Sequence, residues 1–273
     1  MNDILEYIES VKLRDKDKEY LKNPKTIQDK LRYLAINDLN ETKIKCADKL
    51  LVKDYILEKT GEKLFAKVLY SYDKIDDMTE SDFKSLPNKF VVKGNQGWHM
   101  MIVVKDKSKI TLDKIKEKAK DWHTKTNGLI SHEFQYSFIK PVVFVEEYLG
   151  DNLLDYRFWC FNGVPKFIAV NTPEGYGIGP QKFYDLNFNE ADIINSAHYN
   201  KNLSFSKPIN LEKMINYAKI LSSEHKFLRL DFFNIGGKIY ISEFTFTPTG
   251  FNFHFLNNNN KNIDREIGDM LLL

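Results

Sequence analysis

Apolar and polar residues alternate with a period of two over Phe227–Phe232 and again over Lys238–Thr245, and Gly236-Gly237 separates the two runs. A period of two predicts strands, and a glycine pair between two such runs predicts a hairpin turn. In the first run Leu228, Leu230 and Phe232 share one face, and Arg229 and Asp231 share the other. In the returning run Ile239, Ile241, Glu243 and Thr245 are expected on one face. Folded at the glycines, Asp231 and Glu243 come within one residue of directly opposite each other, with Arg229 and Thr245 just beyond. Facing like charges destabilise a ladder, so the two carboxylates call for a cation. Either Arg229 supplies it or a bound divalent metal does. Mg²⁺ is typically held by one or two carboxylates together with substrate phosphates. A surface hairpin carrying a salt bridge explains the same pattern.

Elsewhere the pattern changes period. Over residues 1–60 Ile4, Leu5, Ile8, Val11, Leu31, Leu34 and Leu39 recur at helical spacing, punctuated by Asn23-Pro24. CADKLLVKDYILEKTG then predicts a helix with Asp48 as N-cap or first-turn acid and Gly61 as C-cap. Leu64–Tyr72 predicts a strand, followed by an acidic loop. FVVKGNQGWHMMIVV predicts two strands about a glycine-bearing turn, where a strand-end lysine, Lys93, and accessible backbone N–H groups suit an anion. Residues 111–127 predict an amphipathic helix with Leu112, Ile115, Ala119 and Trp122 inward. VVFVEEYL predicts a buried strand that exits at Glu146-Glu147. LLDYRFWCFNGVPKFIAV predicts a hairpin turned at Asn162-Gly163, with Asp155, Arg157 and Trp159 on one face. Residues 171–207 are expected to be loop-rich, PINLEKMINYAKILSSEH to be a helix capped near Asn210, and DREIGDMLLL to be a short end helix.

Composition narrows the class. The 273 residues are 29% charged and 42% hydrophobic with a formal net charge of +2, which speaks against a nucleic-acid partner recognised by charge. Cys46 and Cys160 fit neither a metal-ligand spacing nor a disulfide framework. The N-terminus is more charged than a signal peptide is expected to be, and no apolar run has the ~20 residues of a membrane span. A cytoplasmic location is the expectation. No P-loop motif is present.

The phrase RLDFFNIGGKIYISEFTFTPTG resembles the metal-binding hairpin of ATP-grasp ligases, where an R-x-D/E strand returns to E-x-N-x-x-P-G. Taken with DK at 48–49, VVKGNQG, EEYL, DYR and FYD, in that order, the chain resembles TupA-like ATP-grasp proteins of polysaccharide and teichuronopeptide biosynthesis. The resemblance implies an α+β ATP-grasp fold: two α+β lobes, lid and core antiparallel sheets, clamping ATP, after a helical N-terminal segment. It implies a 1–64 helical segment, a 65–145 lid subdomain and a 146–273 core subdomain. Lys49 and Lys93 then hold ATP phosphates, with Lys53 as the alternative to Lys49. The hinge contacts adenine through Glu146 and through the backbone of Glu147 and Leu149. Asp155 meets the ribose hydroxyls, Arg157 faces phosphate or substrate, and Lys182 approaches the triphosphate. Asp231 and Glu243 hold Mg²⁺, and Thr245 stands where the family has a liganding Asn. Arg229 holds the oxyanion.

The function implied is ATP-dependent carboxylate–amine ligation through an acyl phosphate. Its acid is a uronic or amino-acid carboxylate of a cell-surface glycan, and its second partner is an amine. Two alternatives stand beside it: a phosphotransferase acting on a hydroxyl, and a non-catalytic glycan- or partner-binding module.

Overall fold

The computed structural model describes residues 2–124, 128, 132–173, 179–195 and 202–273, with side chains from residue 5 onward. Helices α1 (Asn2–Asp15), α2 (Glu19–Lys22), α3 (Ile27–Asn37), α4 (Glu41–Ala47) and α5 (Val52–Thr60) come first. Strand β1 (Val68–Tyr72), helix α6 (Glu80–Ser85), strands β2 (Phe90–Gly94) and β3 (Met101–Val104), helix α7 (Leu112–Ala119) and strand β4 (Val143–Glu147) follow. Next are β5 (Asp155–Phe161), β6 (Val164–Asn171), β7 (Gln181–Tyr184), β8 (Ile194–Asn195) and α8 (Leu211–Ser222). The chain closes with β9 (Phe227–Ile235), β10 (Lys238–Thr245), β11 (Phe255–Leu256) and α9 (Asp264–Asp269).

Two antiparallel sheets carry the architecture, ordered β1-β4-β2-β3 and β10-β9-β5-β6-β7. In the five-stranded sheet, α8 and α5 cover one face, packing Met214, Leu221, Tyr55 and Ile56 on Phe158, Ile168, Leu230 and Phe232. The opposite face is aromatic at one end only. There Trp159, Phe161, Phe167 and Phe227 lie under Leu31 and Leu34 of α3 and under Phe253 and Phe255. Helix α3 and the C-terminal segment thus share one core. The four-stranded sheet packs Phe90, Val92 and Val145 on Ile115 and Ala119 of α7.

Local chemistry explains many element ends. A Thr26–Asp29 capping box opens α3, and Gly61 caps α5 in the left-handed region at φ 68°. Gly236 and Gly237, at φ 57° and 84°, make the turn between β9 and β10, as their spacing predicts. Asn162 and Gly163 turn the β5–β6 hairpin at φ 48° and 77°.

Several expectations need correction. The strand predicted from Leu64 begins at Val68, because the Leu64 carbonyl instead accepts from the Ile241 amide at 2.6 Å, along the rim of β10. The acidic loop contains α6, opened by a Thr79–Asp82 capping box. The helix predicted over 111–127 ends at Ala119; Trp122 is buried nonetheless, and residues 125–127 lie outside the described residues. Ile8 and Val11 point inward as the helical spacing implies, but Leu5 is half exposed. Parts of the loop-rich 171–207 region, 174–178 and 196–201, also lie outside the described residues.

The most consequential difference is in β10. Ile239 and Ile241 do not share a face with Glu243 and Thr245. The ladder shifts by one residue between Ile241 and Glu243, so that two residues of β10 oppose one of β9. That is a β-bulge at Ser242. Before it Ile239 and Ile241 enter the core; after it Phe244 and Phe246 do. The extra residue turns Glu243 and Thr245 to the face of Asp231 and Arg229 and sets Glu243 directly opposite Asp231.

Candidate active site

Asp155, Arg157, Arg229, Asp231, Glu243 and Thr245 converge on the end of the five-stranded sheet that the aromatic layer leaves uncovered. Adjacent strands bring them into two rows: Arg157 opposite Asp231 opposite Glu243, and Trp159 opposite Arg229 opposite Thr245. The Asp231 carboxylate accepts from Arg229 Nε at 2.7 Å and from Arg229 Nη2 at 2.6 Å, a bidentate buried pair. Arg157 Nε donates to Asp155 Oδ2 at 2.8 Å and lies 3.6 Å from Asp231 Oδ2. Glu243 Oε1 is 3.3 Å from Lys49 Nζ, and its Oε2 is 3.9 Å from Arg229 Nη2. Each carboxylate of the predicted facing pair therefore has its own cation.

Burial pushes the Asp231 carboxyl up to about 6 against the pull of Arg229, and Asp155 adds to the rise. Burial acts the same way on Glu243, but there Lys49 and then Arg229 outweigh it and hold the carboxyl below its ordinary value. Thr245, expected beside the two carboxylates as a metal ligand, accepts from Arg229 Nη2 at 3.0 Å through its hydroxyl and so fixes the guanidinium.

A second charged group sits across a cleft, on the four-stranded sheet. Glu146 of β4 is 5% exposed and receives Lys93 Nζ at 2.5 Å and Lys53 Nζ at 3.2 Å. Lys53 also donates to the Ala66 carbonyl at 3.2 Å. Burial would raise the Glu146 carboxyl, but the two lysines prevail and lower it. Burial lowers the Lys53 ammonium, against the pull of Glu146. The cleft has a volume of about 440 Å³ including space open to solvent, and is lined by Lys49, Lys53, Lys93, Glu146, Leu149, Phe233 and Glu243 among others.

Lys49 is not in a helix. It lies on the turn joining α4 to α5, where the Asp48 carboxylate accepts from the Leu50 and Leu51 amides at 2.8 and 3.1 Å. Asp48 thus caps that turn, as its side-chain chemistry suggests. The lysine reaches the Gly97 carbonyl at 2.5 Å and stands 5.9 Å over the Tyr136 ring. Asn95, unassigned from sequence, pins this arrangement. Its Nδ2 donates to Asp48 Oδ2 at 2.7 Å, its Oδ1 accepts from the Val142 amide at 2.8 Å, and its carbonyl accepts from the Lys49 amide at 2.8 Å. Gly94–Gly97 is consequently buried, and only the following Trp98 and His99 are exposed. Trp98 Nε1 donates to Glu133 at 3.3 Å, and Glu133 accepts from Thr247 at 2.9 Å, tying this hairpin to the loop after β10.

Two predicted residues, Lys182 and Glu147, stand apart. Lys182 pairs with Val170 across the ladder, on the helix-covered face of the sheet, where its ammonium meets Glu190 at 2.5 Å and the Leu203 carbonyl at 2.8 Å. It is therefore on the opposite face from Asp231 and is not brought to the cluster. Glu147 has its amide on the Lys67 carbonyl at 2.9 Å and its carboxylate on the Lys67 amide at 3.0 Å. Leu149 lines the cleft. The Glu146 side chain is committed to two lysines.

The cluster contains five cations (Lys49, Lys53, Lys93, Arg157, Arg229) and four carboxylates (Asp155, Glu146, Asp231, Glu243). One surplus cation does not balance a polyphosphate, so a divalent metal suits the charge account. The donor set fits Mg²⁺ shared with phosphate oxygens: two carboxylates meet across one ladder position, and each retains further lone pairs. It does not fit a cage made by protein alone, since no group of three or more His, Cys, Asp or Glu is suited to a metal among the described residues. No helix among those residues is long and apolar enough to cross a membrane.

A family model described as TupA-like ATPgrasp matches residues 27–272. No curated protein matches the chain. Solved structures similar to it include the D-alanine–D-alanine ligase from Bacillus anthracis complexed with ATP, at 16% identity and a TM-score of 0.43 over 78% of this chain and 55% of that one. The D-alanine–D-alanine ligase from Helicobacter pylori aligns at 16% identity and 0.47, over 89% and 67%. The L-amino acid ligase from Bacillus licheniformis aligns at 11% and 0.49, over 86% and 54%. The chain thus spans between 54% and 67% of the length of these three structures.

Proposed function

Since the chain belongs to the TupA-like ATP-grasp family, we propose that it is an ATP-dependent carboxylate–amine ligase that makes an amide through an acyl phosphate. The acid is a uronic or amino-acid carboxylate destined for a cell-surface polysaccharide, and the amine is an amino acid or small amino alcohol. The observation that supports this most is the pairing of two charged groups across one cleft. Lys93 and Lys53 converge on Glu146 from one side, and Lys49, Arg229 and Arg157 surround Asp231 and Glu243 on the other.

The nucleotide lies in the cleft with its adenine toward Leu149 and its phosphates toward Lys49 and Lys93. Lys93 then exchanges Glu146 for a phosphate oxygen, and Lys53 keeps the buried Glu146 paired. Asp231 and Glu243 would hold Mg²⁺, which, when bound, neutralises charge on the phosphates. A substrate carboxylate oxygen forms a bond to the γ-phosphorus while the bond to the ADP oxygen breaks, and the lysines stabilise the charge spread over the group in flight. An amine nitrogen next bonds the acyl carbon, the bond to phosphate breaks, and the nitrogen loses its proton. Arg229, held by Asp231 and Thr245, is the cation nearest the oxygen that becomes negative in that step.

Hydroxylamine is the test, because it stands in for the amine. Full-length protein with Mg-ATP, hydroxylamine and a panel of sugar acids and amino acids should yield a hydroxamate with ADP and phosphate in equal amounts. A stable phosphoester product, with no hydroxamate from any acid, would establish a phosphotransferase instead.

A further inference from the structure

Asn95, in the turn after β2, has every hydrogen-bonding group engaged, and the bonds join three segments of the chain. Its amide donates to the Val142 carbonyl at 3.0 Å, and its carbonyl accepts from the Lys49 amide at 2.8 Å. Its Nδ2 donates to Asp48 Oδ2 at 2.7 Å and to the Lys140 carbonyl at 2.9 Å, while its Oδ1 accepts from the Val142 amide at 2.8 Å. The side chain is buried. The Asp48 carboxylate is buried with it, and its hydrogen bonds come from three neutral N–H groups: the Leu50 and Leu51 amides and Asn95 Nδ2. A buried polar network with all its members satisfied is rigid.

The position of this network relative to the two lysines proposed for the phosphates gives it a further meaning. Lys49 follows Asp48 at the head of α5, and α5 packs Val52, Tyr55 and Ile56 into the core of the five-stranded sheet. Lys93 lies two residues before Asn95, on β2 of the four-stranded sheet. Asn95 therefore joins the lysine of one sheet to the lysine of the other. The Lys49 ammonium adds a bond to the Gly97 carbonyl at 2.5 Å, just beyond. Gly94–Gly97 is thus fastened at its middle and not only where the strands end. Lysine carries its charge on a flexible four-carbon stem, so two lysines meet one polyphosphate reliably only when their backbones are fixed.

We propose that Asn95 is a positioning residue: by holding the Asp48 turn against the β2–β3 loop, it makes Lys49 and Lys93 one preassembled phosphate clamp. This rests on the nucleotide part of the reading above and not on the ligase chemistry. The two are separable because the clamp is measurable by binding alone. A bond network that merely supports the fold serves adenosine and ATP alike. One that sets the two lysines matters only to the phosphates.

The test is calorimetry on the full chain with two probes, a non-hydrolysable Mg-ATP analogue and adenosine. Asn95→Asp keeps the shape but sets a second carboxylate against Asp48. At pH 8 it should bind the analogue at least roughly tenfold more weakly than the parent and adenosine within about twofold. Burial already raises the Asp48 carboxyl against the pull of Lys49, and a facing carboxylate raises it further. One shared proton restores the missing donor, so the loss should shrink at pH 6, read against the parent at the same pH. Asp48→Asn/Asn95→Asp exchanges donor and acceptor and should recover the analogue's affinity to within about threefold at pH 8. Asn95→Ser removes the bridge without adding charge; it is the variant to use if Asn95→Asp fails to fold, and it should weaken the analogue by several-fold and adenosine little. Affinities for both probes that fall together overturn the proposal, as does analogue binding unchanged in both single variants. A parent that binds the analogue no better than adenosine removes the phosphate reading of the cleft and the proposal with it; absence of any hydroxamate removes the ligase reading and leaves the clamp standing.

Discussion

Replacing Glu146 by Gln would take one negative charge from between two lysines while preserving the side chain's shape. At an effective dielectric near 20, contacts of 2.5 and 3.2 Å each amount to about 5–7 kcal/mol of raw attraction. Desolvation offsets much of that, and removing one partner of a buried pair typically costs about 3–5 kcal/mol net. Against a usual total of about 5–15 kcal/mol, the variant should lose roughly 10 °C in Tm. The loss has a pH signature. Burial already holds the Lys53 ammonium below its ordinary 10.5, and without Glu146 it falls further. A group lowered in the folded state binds fewer protons there than when unfolded, so stability is lost as pH falls below the unfolded value. The deficit relative to the parent protein should therefore be larger at pH 6 than at pH 9. Mg-ADP should recover part of it, because a phosphate gives Lys93 a new anion. Urea melts at three pH values, with and without Mg-ADP, measure all of this. A variant as stable as its parent, or a deficit that does not change with pH, would refute the account of Glu146 as the counter-ion of both lysines.

Two further outcomes follow from the cluster. Glu243→Gln should lower ATP turnover at least ~10²-fold with little change in the melt, since Glu243 keeps 31% of its side-chain exposure. Asp231→Asn should lower turnover as much and also destabilise by about 3–5 kcal/mol, because it strands the buried Arg229; normal turnover in both would remove the metal role. Lys93→Met should weaken Mg-ATP binding measured by calorimetry. Lys105→Met, which breaks only an exposed pair with Asp151, should not, and equal effects would show that Lys93 contributes bulk charge alone.

Much of the fold is legible because its signals are local. Glycine pairs, an Asn-Gly turn, capping residues and the apolar face of α7 each act within a few residues. The bulge at Ser242 left a trace that strict alternation overlooks: apolar residues at 239, 241, 244 and 246 step by two, three and two. The interval of three marks the inserted residue. Lys182 was misplaced because its face depends on the partner strand, where it sits beside Val170 rather than Ala169. Asn95 gives no sequence signal at all, because it matters for bonds made to segments about 47 residues away.

The bulge has a second consequence, for how copies of the chain behave toward one another. β10 is an edge strand, paired only with β9 in its sheet, and an alternating, apolar edge is a template on which another chain can pair. At Ser242 the regular spacing of free amides and carbonyls breaks, and the strand bends where a neighbour would need it straight. The Leu64 carbonyl takes the Ile241 amide just before that point. The residue that aligns two carboxylates therefore also makes β10 a poor nucleus for sheet extension, and deleting it would be expected to cost solubility as well as the charged row.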